Sequence, residues 1–450
     1  MKVVKFGGSS CADSGQFAKV RSIIERDPDR SVVVVSAPGK RSEKDHKITD
    51  VLYLTQRLAS IGMGGGEVFD AIEERFHEIH SGMKLQAKLD EQLDEIRQKI
   101  FFGMTEDYTA SRGEYLSAFL MADCLGYEFV DAAEVIRFTE EGSLDEASTM
   151  RLVREKIMGR RVVVPGFYGA KENGTIVTFS RGGSDITGSI LAAALDADIY
   201  ENWTDVSGFL AADPRIVANP VPIRVVTYAE LHELSYMGAQ VLHEDAIAPV
   251  RRAGIPIRIL NTNHMEEEGT LIVPSSGKNK RIVTGIAGKK GFDIVNVHKY
   301  HGAGDSGFFR RLCSVFEAND VKIEHLPTGI DSVSIIVQDE EFKGKEKKIL
   351  EEVDIYCDPD TIDVEDSLSL LAIVGEGMLR HAGVSARVFQ ALAEARINVR
   401  MISQGSSELN IIVGVETGDF ERAVKALYDA FFMKENAMNP SQEENARRER

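Results

Sequence analysis

Basic charge, cysteine and long apolar runs are all scarce in this chain of 450 residues. Lys and Arg number 53 against 71 Asp and Glu, a net charge of −18. A nucleic-acid partner demands a basic face, so that class is excluded. An enzyme acting on small anions fits, provided it gathers positive charge locally. The 4 cysteines, Cys11, Cys124, Cys313 and Cys357, are scattered without a C-x-x-C pair. Neither a zinc site nor a disulfide framework is indicated, and such thiols suit a reducing cytosol. His232, His243 and His264 lack metal-ligand spacing, so no metal site built by protein ligands is expected. No apolar run is long enough for a signal peptide or a membrane span. The expectation is a cytoplasmic protein with no membrane partner.

What remains is ordinary globular composition, 43% hydrophobic and 28% charged, in a chain long enough for several domains. Residues 2–6, 32–35, 161–165, 175–179, 197–203 and 255–260 read as strands. Two of them hold unbroken valine runs of the kind buried in a parallel sheet. Helices are expected over 14–25, 51–61, much of 67–104, 115–125, 186–195 and from 228. Ser111-Arg112-Gly113-Glu114 is expected to open the helix at 115, with Glu114 as a first-turn acid or an ammonium ligand. Alternating strands and helices give a mainly parallel α/β sheet. Its functional loops belong at the carboxyl ends of the strands.

The chain is organised around residues 174–195, GTIVTFSRGGSDITGSILAAAL. A strand runs into Ser180-Arg181-Gly182-Gly183-Ser184-Asp185 and out into a helix. The glycines let the backbone approach a ligand closely. The helix start offers free N–H groups to an anion, Arg181 adds a fork for a carboxylate, and Asp185 adds an acid. These residues alone leave two readings open: a catalytic floor, or an ordinary strand–turn–helix corner. Lys5 before Gly7-Gly8-Ser9-Ser10 is likewise either a phosphate-neutralising lysine or a surface lysine before a tight turn. Two nucleotide motifs fail. Gly183 to Ser189 imitates a Walker A loop without its lysine. Gly302 to Gly307 matches G-x-G-x-x-G, but inside a small repeated module whose second copy has no such pattern.

That repeat fills the C-terminal part. Residues 307–337 and 383–413 are related by a constant offset of 76. Leu312 matches Val388, Phe316 matches Leu392, and Val321 and Ile323 match Ile397 and Val399. Each copy reads as a helix, a strand, a glycine turn and a strand, preceded by an apolar strand. The two are expected to join their sheets edge to edge, which removes exposed edges. The expected domains are 1–275, a linker 276–283, modules 284–365 and 366–433, and a disordered tail 434–450.

KFGGSS ending at Ser10, VVSAPG from Val34, SRGE from Ser111, SRGGSD from Ser180, WTDVSG from Trp203, DPR from Asp213 and GAQVLH from Gly238 occur in this order. With the paired module after them, the set resembles the aspartokinases of the amino-acid-kinase family, which carry two ACT-type regulatory modules. The resemblance covers residues 2 to about 432. It implies an amino-acid-kinase fold followed by two ferredoxin-like βαββαβ modules. It also implies transfer of the ATP γ-phosphate to the side-chain carboxylate of aspartate, with Mg²⁺. Carried over by position, Lys5 and Asp185 would be catalytic. Ser36, Thr49, Glu114, Phe167, Arg181 and Ser184 would line the aspartate pocket. Lys5, Gly7, Gly8, Thr204, Asp205, Arg215 and Gln240 would hold ATP.

Gln240 stands where many members carry a lysine, and Leu210 where several carry an aromatic. An effector, lysine or threonine, would meet Ser306, Gly307, Phe308, Thr328, Asp331 and Ser332, the alternative being that Asp331 only stabilises its turn. The second copy has Ser407 in place of Asp331, so the first copy is expected to dominate. A homodimer or a dimer of dimers is implied. Two rival readings stand beside it: other amino-acid kinases, which generally lack the paired modules, and an amino-acid sensor without catalysis, against which Lys5, Arg181 and Asp185 speak. A fused homoserine dehydrogenase would need a further domain.

Overall fold

The computed structural model describes all residues except 181, 240–241, 243, 276, 278–280, 301–306, 380 and 434–450, and the side chains of 244 and 245. Two compact units emerge. The first comprises Met1–Phe209, Arg224–Tyr228 and Val241–Ser276; the second comprises Leu210–Ile223, Ala229–Gln240 and Gly277–Arg450. No helix among the described residues is long and apolar enough to cross a membrane.

In the first unit the strands are β1 Lys2–Phe6, β2 Arg30–Val35, β3 Glu128–Phe129, β4 Val162–Pro165, β5 Tyr168–Ala170, β6 Ile176–Thr178, β7 Ile199–Thr204, β8 Val225–Thr227, β9 Ile257–Asn261 and β10 Thr270–Val273. Eight of them form one sheet, in the order β3-β4-β2-β1-β7-β9-β10-β8. It is parallel from β3 to β9, and β10 runs antiparallel to β9. The valine runs explain this burial. Val32 to Val35 and Val162 to Val164 are fully buried, which only a sheet covered on both faces permits. Each such side chain contributes about 1.5–3 kcal/mol when removed from water.

One cover is the helices Ser14–Glu25, Gly66–Met83, Leu89–Phe101 and Glu106–Leu125, packed through Phe17, Phe69, Ile72, Phe76, Ile96 and Leu120. The helical region expected over 67–104 is therefore two helices, the first ending at Lys84 with φ 54. The helix expected at 115 starts nine residues earlier, at Glu106. Thr105 caps it by accepting from the Tyr108 amide, which satisfies an end that would otherwise be orphaned.

In the second unit the strands are β11 Gly285–His298, β12 Ile323–His325, β13 Ser332–Gln338, β14 Thr361–Val374, β15 Met401–Ser403 and β16 Asn410–Glu416. Their order, β12-β13-β11-β14-β16-β15, is mirrored about the central pair. The two copies do join edge to edge, through the antiparallel strands β11 and β14. The junction expected between 365 and 366 falls inside β14. The repeat's helices are Phe308–Ala318 and Val384–Glu394, offset by 76 at both ends. Leu312, Val315 and Phe316 pack on Val333, Ile335 and Val337 of the sheet. Within the same unit, Glu230 accepts from Thr284 and from the Glu376 amide, and Tyr236 bonds Glu324.

Candidate active site

The carboxyl ends of β1, β2, β4 and β7 lie side by side because their strands are neighbours. Lys5 is near the end of β1, and its register partners are Val34 on β2 and Asn202 on β7. It is buried, and its Nζ lies 2.7 Å from Asp185 Oδ1. A buried cation needs such a partner, since an unpaired charge away from water is costly. Asp185 sits in the first turn of the helix Gly183–Ala194, which starts after Gly182 in the left-handed region at φ 58. Strand, glycine turn and helix thus deliver the acid to the lysine, together with the positive end of a helix dipole.

The glycine turn after β1 is interlocked with the loop after β2. Gly39 N–H donates to the Gly8 carbonyl at 2.8 Å, and Ser36 N–H donates to the Phe6 carbonyl at 3.1 Å. A Cβ on Gly39 would meet the Gly8 carbonyl carbon at 2.6 Å, so only glycine permits this approach. The buried Arg75, which sequence reasoning did not single out, fastens the loop from behind. Its Nη1 donates to the Gly39 carbonyl at 3.0 Å and its Nη2 to Asp45 at 2.7 Å.

Glu114 differs from expectation. It lies in the interior of the helix Glu106–Leu125, not in its first turn. Gly113 is no helix opener either: a Cβ there would meet Ala37 at 2.7 Å, so the glycine lets helix and loop touch. Burial pushes the Glu114 carboxyl up to about 8, and the Ala37 amide and the charges of Arg112 and Lys5 offset this only in part. Its Oε2 has no hydrogen-bond partner. Arg112 beside it is stacked on Tyr108, Tyr115 and Tyr168 and bonds Ser111 Oγ. Ile48 and Leu52, which flank Thr49 in the helix Ile48–Ser60, lie against Gly113.

At the end of β4, Phe167 has a left-handed backbone, φ 80, strained for an aromatic residue. Its N–H donates to Thr187 Oγ1 at 3.0 Å, which ties it to the helix of Asp185. The same closeness leaves no room for a Cβ on Gly166, which would meet Ser184 Oγ at 2.5 Å. Thr204 ends β7, and its hydroxyl reaches Asp205 at 3.1 Å.

Lys5, Gly7, Gly8, Ser36, Phe167, Thr204 and Asp205 therefore occupy the ends of four neighbouring strands and the turns after them, and Ser184 and Asp185 join them from the first turn of the helix that follows β6. Glu114 joins them through Ala37 and its electrostatic reach to Lys5. Arg181 and Gln240 lie outside the described residues. Arg215 belongs to the second unit, where it is exposed and paired with Asp213 at 2.6 Å. Sequence reasoning also missed Asn202, whose Nδ2 donates to Asp185 Oδ1 at 2.8 Å.

Of the effector candidates, Ser306 lies outside the described residues. Gly307 caps the helix Phe308–Ala318, and Phe308 is buried in the module core. Thr328 and Ser332 flank the turn in which Gly329 N–H donates to the Ser332 carbonyl, and the Asp331 carbonyl accepts from Lys299.

A lysine–aspartate pair over a glycine turn and a helix start, on a parallel sheet, is phosphotransferase geometry. The chain belongs to the amino acid kinase family, whose model matches residues 1–261. An ACT domain model matches residues 371–431.

Within that family it groups with the aspartokinases, which makes it a kinase. It is 37% identical to aspartokinase 3 of Bacillus subtilis, covering 96% of this chain and 99% of that one. The crystal structure of Clostridium acetobutylicum aspartate kinase is 49% identical over 96% of this chain and 100% of that one, with a TM-score of 0.92. Escherichia coli aspartokinase III, solved with aspartate and ADP as an R-state, is 25% identical over 96% of this chain and 100% of that one, with a TM-score of 0.70. The same enzyme, solved with lysine and aspartate as a T-state, gives 0.73 at 25% identity over 96% and 99%.

Proposed function

We propose that this protein transfers the γ-phosphoryl group of ATP to the side-chain carboxylate of L-aspartate, giving 4-phospho-L-aspartate. That is the first step toward lysine, threonine and methionine. The observation that carries the reading is the buried Lys5–Asp185 pair, 2.7 Å apart, beside the glycine turn Gly7-Gly8. The acceptor carboxylate is already ionised at neutral pH, so no strong base is required. Catalysis is then positioning and charge stabilisation. The turn amides and Lys5 take the phosphate charge, and Asp185 holds Lys5 in place. Ser36, Thr49, Phe167, Arg181 and Ser184 line the aspartate pocket, where Arg181 grips the α-carboxylate and Glu114 meets the ammonium.

Thr204 and Asp205 serve the nucleotide. Oxygen ligands from one or two acids plus substrate phosphates suit Mg²⁺, and Asp185 and Asp205 fit that demand. When bound, the ion neutralises phosphate charge. The protein is cytoplasmic, acts as a homodimer or a dimer of dimers, and is inhibited by lysine or threonine bound near Asp331.

The test is ADP release with ATP, Mg²⁺ and aspartate, compared with glutamate and with no acceptor. Release that depends on aspartate supports the reading. Equal release with glutamate, or none with aspartate, overturns it.

A further inference from the structure

Asn202 carries chemistry that the reading above does not use. It is on β7, beside Lys5 on β1, and is 2% exposed. Its amide orientation is set by its partner: a carboxylate can only accept, so the NH₂ must face Asp185. Nδ2 reaches Asp185 Oδ1 at 2.8 Å, the oxygen that Lys5 also takes at 2.7 Å. Both donors thus fall on one oxygen, and neither consumes the other. The remaining end of the amide, Oδ1, is buried without a hydrogen-bond partner. Leaving such an acceptor unmade is unfavourable.

The preceding residue on the strand shows that β7 can satisfy its buried polar groups. Glu201, on the opposite face, accepts from Arg30 Nε at 2.8 Å and from Trp203 Nε1 at 2.9 Å. On β7 itself, the unmet acceptor is on the face that carries Lys5 and Asp185. A buried polar group left unsatisfied in a native fold calls for an explanation, and a bound ion or ligand is one.

We infer that Asn202 is a positioning residue of the phosphoryl-transfer centre. Its Nδ2 fixes the Asp185 oxygen that Lys5 shares, and its Oδ1 accepts from a donor that arrives with the metal–nucleotide. A hydrated divalent ion carries such donors, because water bound to a cation is a strong hydrogen-bond donor and the phosphate oxygens are only acceptors. The inference rests on the phosphotransfer reading.

The test compares the full-length protein with Asn202→Leu, which keeps the side-chain shape and removes both polar ends, and with the smaller Asn202→Ser. Binding of Mn²⁺ with ADP is followed by water-proton relaxation, alongside kcat, both KM values and ligand-free thermal unfolding. For Leu, kcat falls by about tenfold or more, as when a preorganised group at the reacting phosphate is lost. Mn²⁺–ADP affinity falls by about fivefold, while the aspartate KM stays within about twofold. The ligand-free thermal midpoint holds or rises, because an unsatisfied acceptor has gone. If Leu does not fold, Ser must show the same loss of kcat and of Mn²⁺–ADP affinity. The inference is overturned if folded variants keep wild-type kcat and Mn²⁺–ADP affinity. It is also overturned if both variants only lower the thermal midpoint. Failure of the wild type to bind Mn²⁺–ADP or to phosphorylate aspartate would instead sink the functional reading.

Discussion

Two acids lie within reach of Lys5, and they are held in opposite conditions. Asp185 begins a helix, keeps about a fifth of its side chain exposed, and receives Lys5 and Asn202 on one oxygen. Glu114 is sealed inside another helix, with Oε2 unpartnered and its carboxyl pushed up to about 8 by burial. Environment, more than residue type, sets what a carboxyl can do. The first acid is prepared before substrate arrives. The second waits for a cation, and an amino-acid ammonium is a cation that could fill that place.

The strongest way to break the comparison is to remove the cation both acids share. Lys5→Met is expected to lower kcat by about a hundredfold or more, in steady-state assays on folded protein. A near-normal kcat would end the assignment. Sharpening it means neutralising only the sealed acid. Glu114→Gln loses a charge-assisted contact of about 1.5–3 kcal/mol, or roughly ten- to a hundredfold in aspartate KM. The ATP KM should hardly move. If it rises instead, Glu114 serves the nucleotide.

A smaller effect is expected where the helix Gly183–Ala194 meets the loop after β4. A Cβ on Gly183 would meet Phe167 Cδ2 at 2.5 Å and its Cα at 2.9 Å. Gly183→Ala should therefore raise the aspartate KM by roughly threefold to tenfold through displacement of Phe167. Unchanged kinetics would show that Phe167 does not line the pocket.

The last consequence is for stability. Glu114 has a folded value of about 8, above the ordinary carboxyl value of 4.5. Between those two values the folded state binds more protons than the unfolded state, so stability falls as pH rises. This contribution is fully present below 4.5 and lost as pH climbs through about 8. The thermal midpoint should thus decline from pH 5 to 8.5 in wild type, and less steeply in Glu114→Gln. Parallel curves for the two proteins would contradict the sealed acid.

Much of this was legible in the chain. Valine runs announced the parallel sheet, and the offset of 76 placed both helices of the repeat. The placement was legible where a motif sits on a strand end or a helix start: Lys5 is in β1 ahead of Gly7-Gly8, and Asp185 is in the first turn after its glycines. It was not legible where burial depends on distant partners. Gly113 resembles a helix opener, yet it is interior because Ala37, far away in sequence, needs its missing side chain. The true cap, Thr105, is inconspicuous among polar residues. Asn202 hides in the strand before Trp203, and its role depends on a helix that starts nineteen residues before it. Arg75 looks like one more charge on an amphipathic helix, and only the fold brings it to Gly39. Nor does local sequence reveal that Leu210–Ile223 and Ala229–Gln240 cluster with the C-terminal unit.

The central claim is that the sealed acid becomes ionised when it receives the ammonium of aspartate. Calorimetry at pH 7, in buffers of different ionisation enthalpy, counts the protons exchanged when aspartate binds. A carboxyl held at about 8 is mostly protonated at that pH, so binding should release close to one proton per site, and Glu114→Gln should release almost none. Wild-type binding without proton release, or equal release from both proteins, would contradict the account.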